Sequence, residues 1–199
     1  DLGKGCAAVG REIADIVHTF IHGDWKTKLS FFIMGFGNIA RGQVLRGLLF
    51  LLFEIVFIAY MVLSGGYWLS MLPSLGLVGP TEEDNEILDA YTTTYHDNSF
   101  QILLYGVLTI FFIIAFIYTW RVNVRQNKIA EKILASGKRL KSGKDDLRSV
   151  VDAQFHKTLL ALPLTGIFIF TVLPILFMIL VAFTNYDGTH NGYTNSLFT

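Results

Sequence analysis

Three stretches of this chain run apolar with little relief, and polar stretches of contrasting charge separate them. From Val44 to Leu63, fourteen of twenty residues are Leu, Ile, Val or Phe. Ile102 to Trp120 and Leu159 to Phe183 hold no charged residue over nineteen and twenty-five positions. The last stretch, at about 1.5 Å per residue, makes a helix of roughly 37 Å. That length crosses a hydrocarbon core of about 30 Å with some tilt. Pro163 and Pro174 lie inside it. A soluble core helix rarely carries two such breaks, because each proline removes a donor and clashes one turn back. Membrane helices tolerate them where neighbouring helices cover the freed carbonyls.

The first stretch contains Glu54 near its middle. Its apolar residues favour insertion by about 4 to 8 kcal/mol, against about 3 kcal/mol for one central acid, so insertion wins. Glu54 is read as protonated or hydrogen-bonded within the bundle, with a proton relay as the sharper alternative. Arg46 sits close enough to the end to snorkel to the headgroups.

A different pattern precedes the first span. Val9, Ile13, Ile16, Val17, Phe20 and Ile21 recur at helical spacing on one stripe, with Arg11, Glu12 and Asp15 on other faces. This predicts an amphipathic helix at a membrane surface or against a partner, stopped at Gly23. Residues 1–8 show no pattern. His18 and His22 are spaced to share a metal but have no third ligand or HExxH motif. The apolar patch Leu29 to Phe36 is too short to span and holds Gly35, with Gly37 just beyond it, so it is read as interfacial or re-entrant.

The connections differ in charge. Residues 64–101 contain no Lys or Arg but carry Glu82, Glu83, Asp84, Glu86, Asp89 and Asp97. Their spacing lacks the glycine turn and terminal glutamate of a calcium loop, so a solvated loop is expected. Residues 121–158 contain ten basic residues. Between two spans, such a run follows the positive-inside bias and not nucleic-acid binding. Ile129 and Ile133 predict that the second helix continues to Ser136, with Gly137 as its stop. Asp145 is expected to cap a further helix whose Leu147, Val150, Val151 and Phe155 share a face.

The fold class expected is therefore all-α, a polytopic integral membrane protein with three transmembrane helices and amphipathic surface helices. The N-terminal region 1–43 carries five basic residues and 184–199 carries none. Counting places 1–43 in the cytoplasm, 44–63 across the membrane and 64–101 outside. It places 102–120 across again, 121–158 inside, 159–183 across and 184–199 outside. Tyr67, Trp68, Tyr118, Trp120 and Tyr186 are expected at the interfaces.

Composition adds little to this. Hydrophobic residues make up 52% and charged residues 16%, below the roughly 25% of soluble domains. The net charge of zero hides the segregation just described. One cysteine, Cys6, excludes an intrachain disulfide and a cysteine metal cluster. No signal peptide is visible, and the start at Asp1 suggests a piece of a longer protein. No catalytic, cofactor-binding or metal residue is assigned, and substrate-contacting residues are left open. Tyr105, Phe111, Phe112 and Phe116 are read as packing or lipid-facing residues of the second span and not as a ligand-stacking strip.

The run Leu162-Pro163, Leu173-Pro174-Ile175-Leu176 and Ala182-Phe183-Thr184-Asn185-Tyr186-Asp187 resembles the first core helix of binding-protein-dependent sugar permeases. Asp24-Trp25-Lys26-Thr27-Lys28-Leu29-Ser30 and Met34-Gly35-Phe36-Gly37-Asn38, with the basic loop, are similar to the amino-terminal region of maltose/maltodextrin importer permeases. The closer likeness is to the larger, MalF-like subunit of Gram-positive bacteria. The resemblance implies a non-catalytic, multi-pass permease subunit of an ATP-binding-cassette importer in a bacterial plasma membrane. It further implies a second permease subunit, two ATP-hydrolysing subunits and an extracellular sugar-binding protein as partners. The family's ATPase-docking loop, with its glutamate-alanine-alanine start, does not occur in these 199 residues. Two alternatives stand beside this reading. One is a non-transporting membrane scaffold or assembly subunit, which three spans suit equally well. The other is an intramembrane enzyme, for which only Glu54 offers an ionisable group inside a span.

Overall fold

A computed structural model describes residues 2–79, 81–85, 90–94, 97–140, 160, 163–184 and 186–187. Helix α1 runs Leu2–His22, α2 Trp25–Leu29, α3 Phe36–Ile39, α4 Val44–Tyr60 and α5 Gly66–Met71. Strands β1, Thr81–Asn85, and β2, Ala90–Thr94, follow, then α6, Ser99–Ala135, and α7, Leu173–Val181. Contacts divide the chain into two units, residues 1–58 with 114–155 and residues 59–113 with 156–199.

Three helical stretches are long and apolar enough to cross a membrane: Val44–Met71, Ser99–Ala135 and Pro163–Val181. The fold class read from the pattern is the one observed. Two of the helices are longer than their apolar cores. The first passes through a π-helical turn at Met61–Gly65 into α5, so Tyr67 and Trp68 belong to it and not to the following loop. The second continues for fifteen residues beyond Trp120 and ends where Gly137 turns to φ 74°. There Lys138 N–H donates to Ile133 C=O and Gly137 N–H to Leu134 C=O, the paired bonds of a glycine C-terminal cap. In the third, a π-helical turn at Phe168–Val172 leads into α7 with Pro174 in its first turn. Proline lacks the N–H that would bond one turn back, and the wider turn lies where that bond is missing.

Burial is inverted relative to a soluble protein. Among the described residues, six hydrophobic side chains are buried, but so are nine polar ones, including Ser30, Asn38, Asn123 and Asn127. Leu48, Leu52, Ile55, Ile114, Ile117, Phe170 and Met178 are exposed. Apolar outside and polar inside is the arrangement expected when the solvent is lipid.

In the second unit, Leu75, Ile102 and Leu103 form a buried cluster with Trp68, Leu72 and Phe177 around it. The Ser99 hydroxyl donates to Leu75 C=O at 2.7 Å, and Asp97 accepts from the N–H groups of Leu77 and Val78. The acidic connection is not wholly irregular. β1 and β2 pair antiparallel, Thr81 opposite Thr94 and Asn85 opposite Ala90. The run of acids hides this from a hydrophobic pattern, while Tyr91 and Thr92 to Thr94 carry the β-propensity. Helix α1 starts at Leu2 and not Val9, because Ala7 and Ala8 favour a helix without adding periodicity. The helix expected after Asp145, the segment 188–199 and residues 161–162 at the start of the third span lie outside the described residues.

Candidate functional site

The densest polar chemistry lies in the first unit, where the segment 24–42 folds onto the polar end of α6. It starts with a cap. Asp24 has extended backbone angles, and its carboxylate accepts from Thr27 N–H at 2.8 Å, which starts α2. α2 lasts five residues, and tight turns then carry the chain to Gly35, whose φ of 81° only glycine adopts without strain. A Cβ there would stand 2.0 Å from the carbonyl oxygen of Gly47. Gly35 and Gly47 thus let the turn and α4 meet backbone to backbone.

Asn123, Asn127 and Glu131 stand four residues apart on one face of α6, as its apolar core gives way to polar sequence. Asn123 Oδ1 accepts from Gly35 N–H at 3.1 Å, and its Nδ2 donates to Ser30 C=O at 2.9 Å. Asn127 Nδ2 donates to Ser30 Oγ at 2.9 Å. Glu131 accepts from Asp24 N–H at 3.2 Å and from the Thr27 hydroxyl at 3.0 Å. Arg41 closes the arrangement. Its guanidinium donates to Asp24 and Thr27 Oγ1 at 2.6 Å and to Asn127 Oδ1 at 2.7 Å. A Cβ on Gly37 would lie 2.1 Å from Asn127 Oδ1, so that glycine makes room for the amide. Two further bonds fasten the turn. Trp120 Nε1 donates to Phe31 C=O at 3.0 Å, and Glu54 accepts from Met34 N–H at 2.9 Å.

The electrostatics follow. Burial pushes the Asp24 carboxyl up, but hydrogen bonds from Thr27 and the charge of Arg41 outweigh it and hold it below the ordinary value of 3.8. Beside this cluster, a groove of about 640 Å³ runs between α1 and α6. Glu12 pairs with Arg121 across it, and Asp15 with Lys128. The hydrogen bond from Lys128 holds Asp15 below its ordinary value as well.

The arrangement is built for structure: the hydrogen bonds of Asn123, Asn127, Glu131 and Arg41 fasten one segment to another, although the buried Asn38 amide has no partner among the described residues. It contains no nucleophile–base pair. Glu54 contacts a backbone amide. His18 and His22 stack at 4.2 Å, and no group of three metal-binding side chains occurs among the described residues. The four aromatic residues that could have formed a ligand-stacking strip each have a ring partner. Tyr105 stacks on Trp68, Phe111 meets Phe168 edge-on, Phe112 meets Tyr60 and Phe116 stacks on Phe57 at 3.9 Å. The sequence reading missed Arg41, Asn123, Asn127 and Glu131. The available signal was two amides and an acid at four-residue spacing inside a stretch counted only for its basic residues.

Comparison with known proteins bears on this architecture. The chain is 25% identical over 166 residues to the maltodextrin transport system permease protein MalC of Streptococcus pneumoniae, in each of two strains. The chain resembles a sugar permease. The match covers 83% of this chain and 35% of each relative, so the chain spans about a third of the length of the curated relatives it matches. No family model matches it, and no solved structure does. The likeness agrees in kind with the resemblance read from the 24–38 and 162–187 motifs.

Proposed function

We propose that the chain forms the amino-terminal part of the membrane-spanning permease of an ATP-binding-cassette importer for malto-oligosaccharides or a related sugar. The observation that carries this is the similarity to MalC over most of the chain, joined to three helices of spanning length. In this reading residues 1–43 and the basic end of α6 face the cytoplasm, and residues 64–101 face outward. The charge asymmetry supports that direction. The polar cluster around Arg41 is structural. It pins the 24–42 segment to the polar end of α6.

The chain itself carries no catalytic step. A separate pair of subunits hydrolyses ATP, a second permease completes the path and an extracellular binding protein delivers sugar. Transport is driven because each ligand binds the inward- and outward-open states with different affinity. The test is purification of the full-length protein from its native membrane in mild detergent. An ATPase subunit and a maltodextrin-binding protein are expected with it. A preparation holding neither contradicts the proposal.

A further inference from the structure

Helix α1 has three flanks, and α6 uses one of them. Glu12 and Asp15 pair with Arg121 and Lys128, and Thr19 is buried, so this flank lies against α6. His18 and His22 are exposed on a second flank. Ile13, Val17, Phe20 and Ile21 recur at three- and four-residue steps on a third, and they are between 40% and 58% exposed. An open apolar stripe of this kind marks a surface that something covers.

Its neighbours identify the covering. Phe20 meets Phe31 edge-on at 5.2 Å, and Phe31 meets Trp120 edge-on at 5.7 Å. Trp120 ends the uncharged run of α6, immediately before Arg121, so this chain of rings reaches the bilayer boundary. Phe20 also meets Phe32, which is 72% exposed. The turn that carries Phe31 and Phe32 is held at membrane depth. Its Met34 N–H donates to Glu54, which lies roughly 15 Å along α4 from Val44. Leu48 and Leu52, between Val44 and Glu54, are exposed and face lipid in a spanning helix. A water-soluble partner that covered Phe32 would have to enter the bilayer, whereas lipid already surrounds the spans there. We infer that α1 is an interfacial membrane anchor. Its Ile13, Val17, Phe20 and Ile21 stripe is seated among lipid acyl chains at the headgroup boundary, and its His18 and His22 flank faces water. The ion pairs to Arg121 and Lys128 fix the rotation of the helix that makes this possible. The inference rests on the spanning helices alone, and not on the sugar, the direction of transport or the partner subunits.

The experiment uses the full-length protein in phosphatidylcholine nanodiscs, with its own cysteines replaced by serine. Spin labels are attached one at a time through Val17→Cys, His18→Cys, Ile21→Cys and His22→Cys. Collision with oxygen, which concentrates among acyl chains, is compared with collision with a water-soluble nickel chelate. Val17→Cys and Ile21→Cys are expected to show an oxygen-to-nickel ratio severalfold above that of His18→Cys and His22→Cys. Equal ratios at all four positions, which put the stripe in water, overturn the inference. So does weak collision with both reagents at Val17→Cys and Ile21→Cys, which assigns the stripe to a protein partner. A second reading needs no label. Bromine on the acyl chains should quench the emission added by Val17→Trp and spare that added by His18→Trp. Equal quenching at the two positions, or none at Val17→Trp, overturns the inference as well. Neither reading involves transport or an ATPase subunit, so failure of the permease proposal leaves the result standing, and the converse also holds.

Discussion

Arg41 reaches back seventeen residues to Asp24, its guanidinium 2.6 Å from the carboxylate, with only 1% of its side chain exposed. The same guanidinium holds Thr27 and Asn127. One cation thus joins the start of the 24–42 segment, its end and α6. Replacing it with methionine leaves the Asp24 carboxylate without its ion-pair partner. The expected loss is about 3 kcal/mol, the low end for breaking a buried pair, since Asp24 is 39% exposed. Thermal unfolding in detergent checks this. At about 2–4 °C per kcal/mol for a chain of this size, the midpoint should fall by several degrees.

Gly37→Ala tests the same joint sterically. Its Cβ would meet Asn127 Oδ1 at 2.1 Å, so the amide must swing away from Arg41. Overpacking of this kind costs about 1–3 kcal/mol. Gly35→Ala should be worse, because it clashes with the Gly47 backbone and forces a β-carbon onto φ 81°. Melting temperatures should rank wild type, then Gly37→Ala, then Gly35→Ala.

The pH dependence has a definite sign. Asp24 has a folded value held below 3.8, so the folded state favours its charged form. Its contribution is fully present above 3.8 and is lost as pH falls through the lower folded value. Stability should be insensitive to this group from neutral pH down to about 5 and should decline below 3.8. Asp24→Asn keeps an oxygen to cap α2 but removes the charge, and should flatten that acid limb of the stability curve.

Glu54 separates a structural acid from a proton relay. Its bond to Met34 N–H needs only an acceptor oxygen. Glu54→Gln should therefore retain folding and sugar uptake with an unchanged pH profile. Glu54→Leu should destabilise by about 1–3 kcal/mol, the cost of leaving a buried donor unpaired. Loss of uptake in Glu54→Gln with normal folding would point to the relay instead.

Pro174 follows the π-helical turn Phe168–Val172. Pro174→Ala restores a backbone donor and allows the turn to tighten to a regular helix. In the complete transporter the variant should change uptake kinetics. Kinetics equal to wild type would show that the break in this helix serves no transport step.

The three spans were legible because a bilayer demands about twenty apolar residues in a row, and that demand is written locally. Helix continuity past the apolar cores was half legible: Gly137 marked one end, whereas nothing before Tyr67 and Trp68 announced that α5 prolongs the first span. The cluster around Arg41 was opaque for a different reason. Its partners are separated by about ninety to one hundred positions, as in Ser30 with Asn123 or Thr27 with Glu131. Polar residues at such separations carry no period. Gly35 and Gly37 stood out only as breaks in a short apolar patch, and their purpose depends on Gly47 and Asn127 across the fold.

The proposed permease role is tested most directly by uptake of labelled malto-oligosaccharides and related oligosaccharides into intact cells. Cells lacking the full-length gene should lose uptake and regain it on complementation, and an Arg41→Met copy should restore less because less folded protein reaches the membrane. Undiminished uptake of all of these sugars in the deletion strain, with no other importer for them in the cell, would contradict the proposed role.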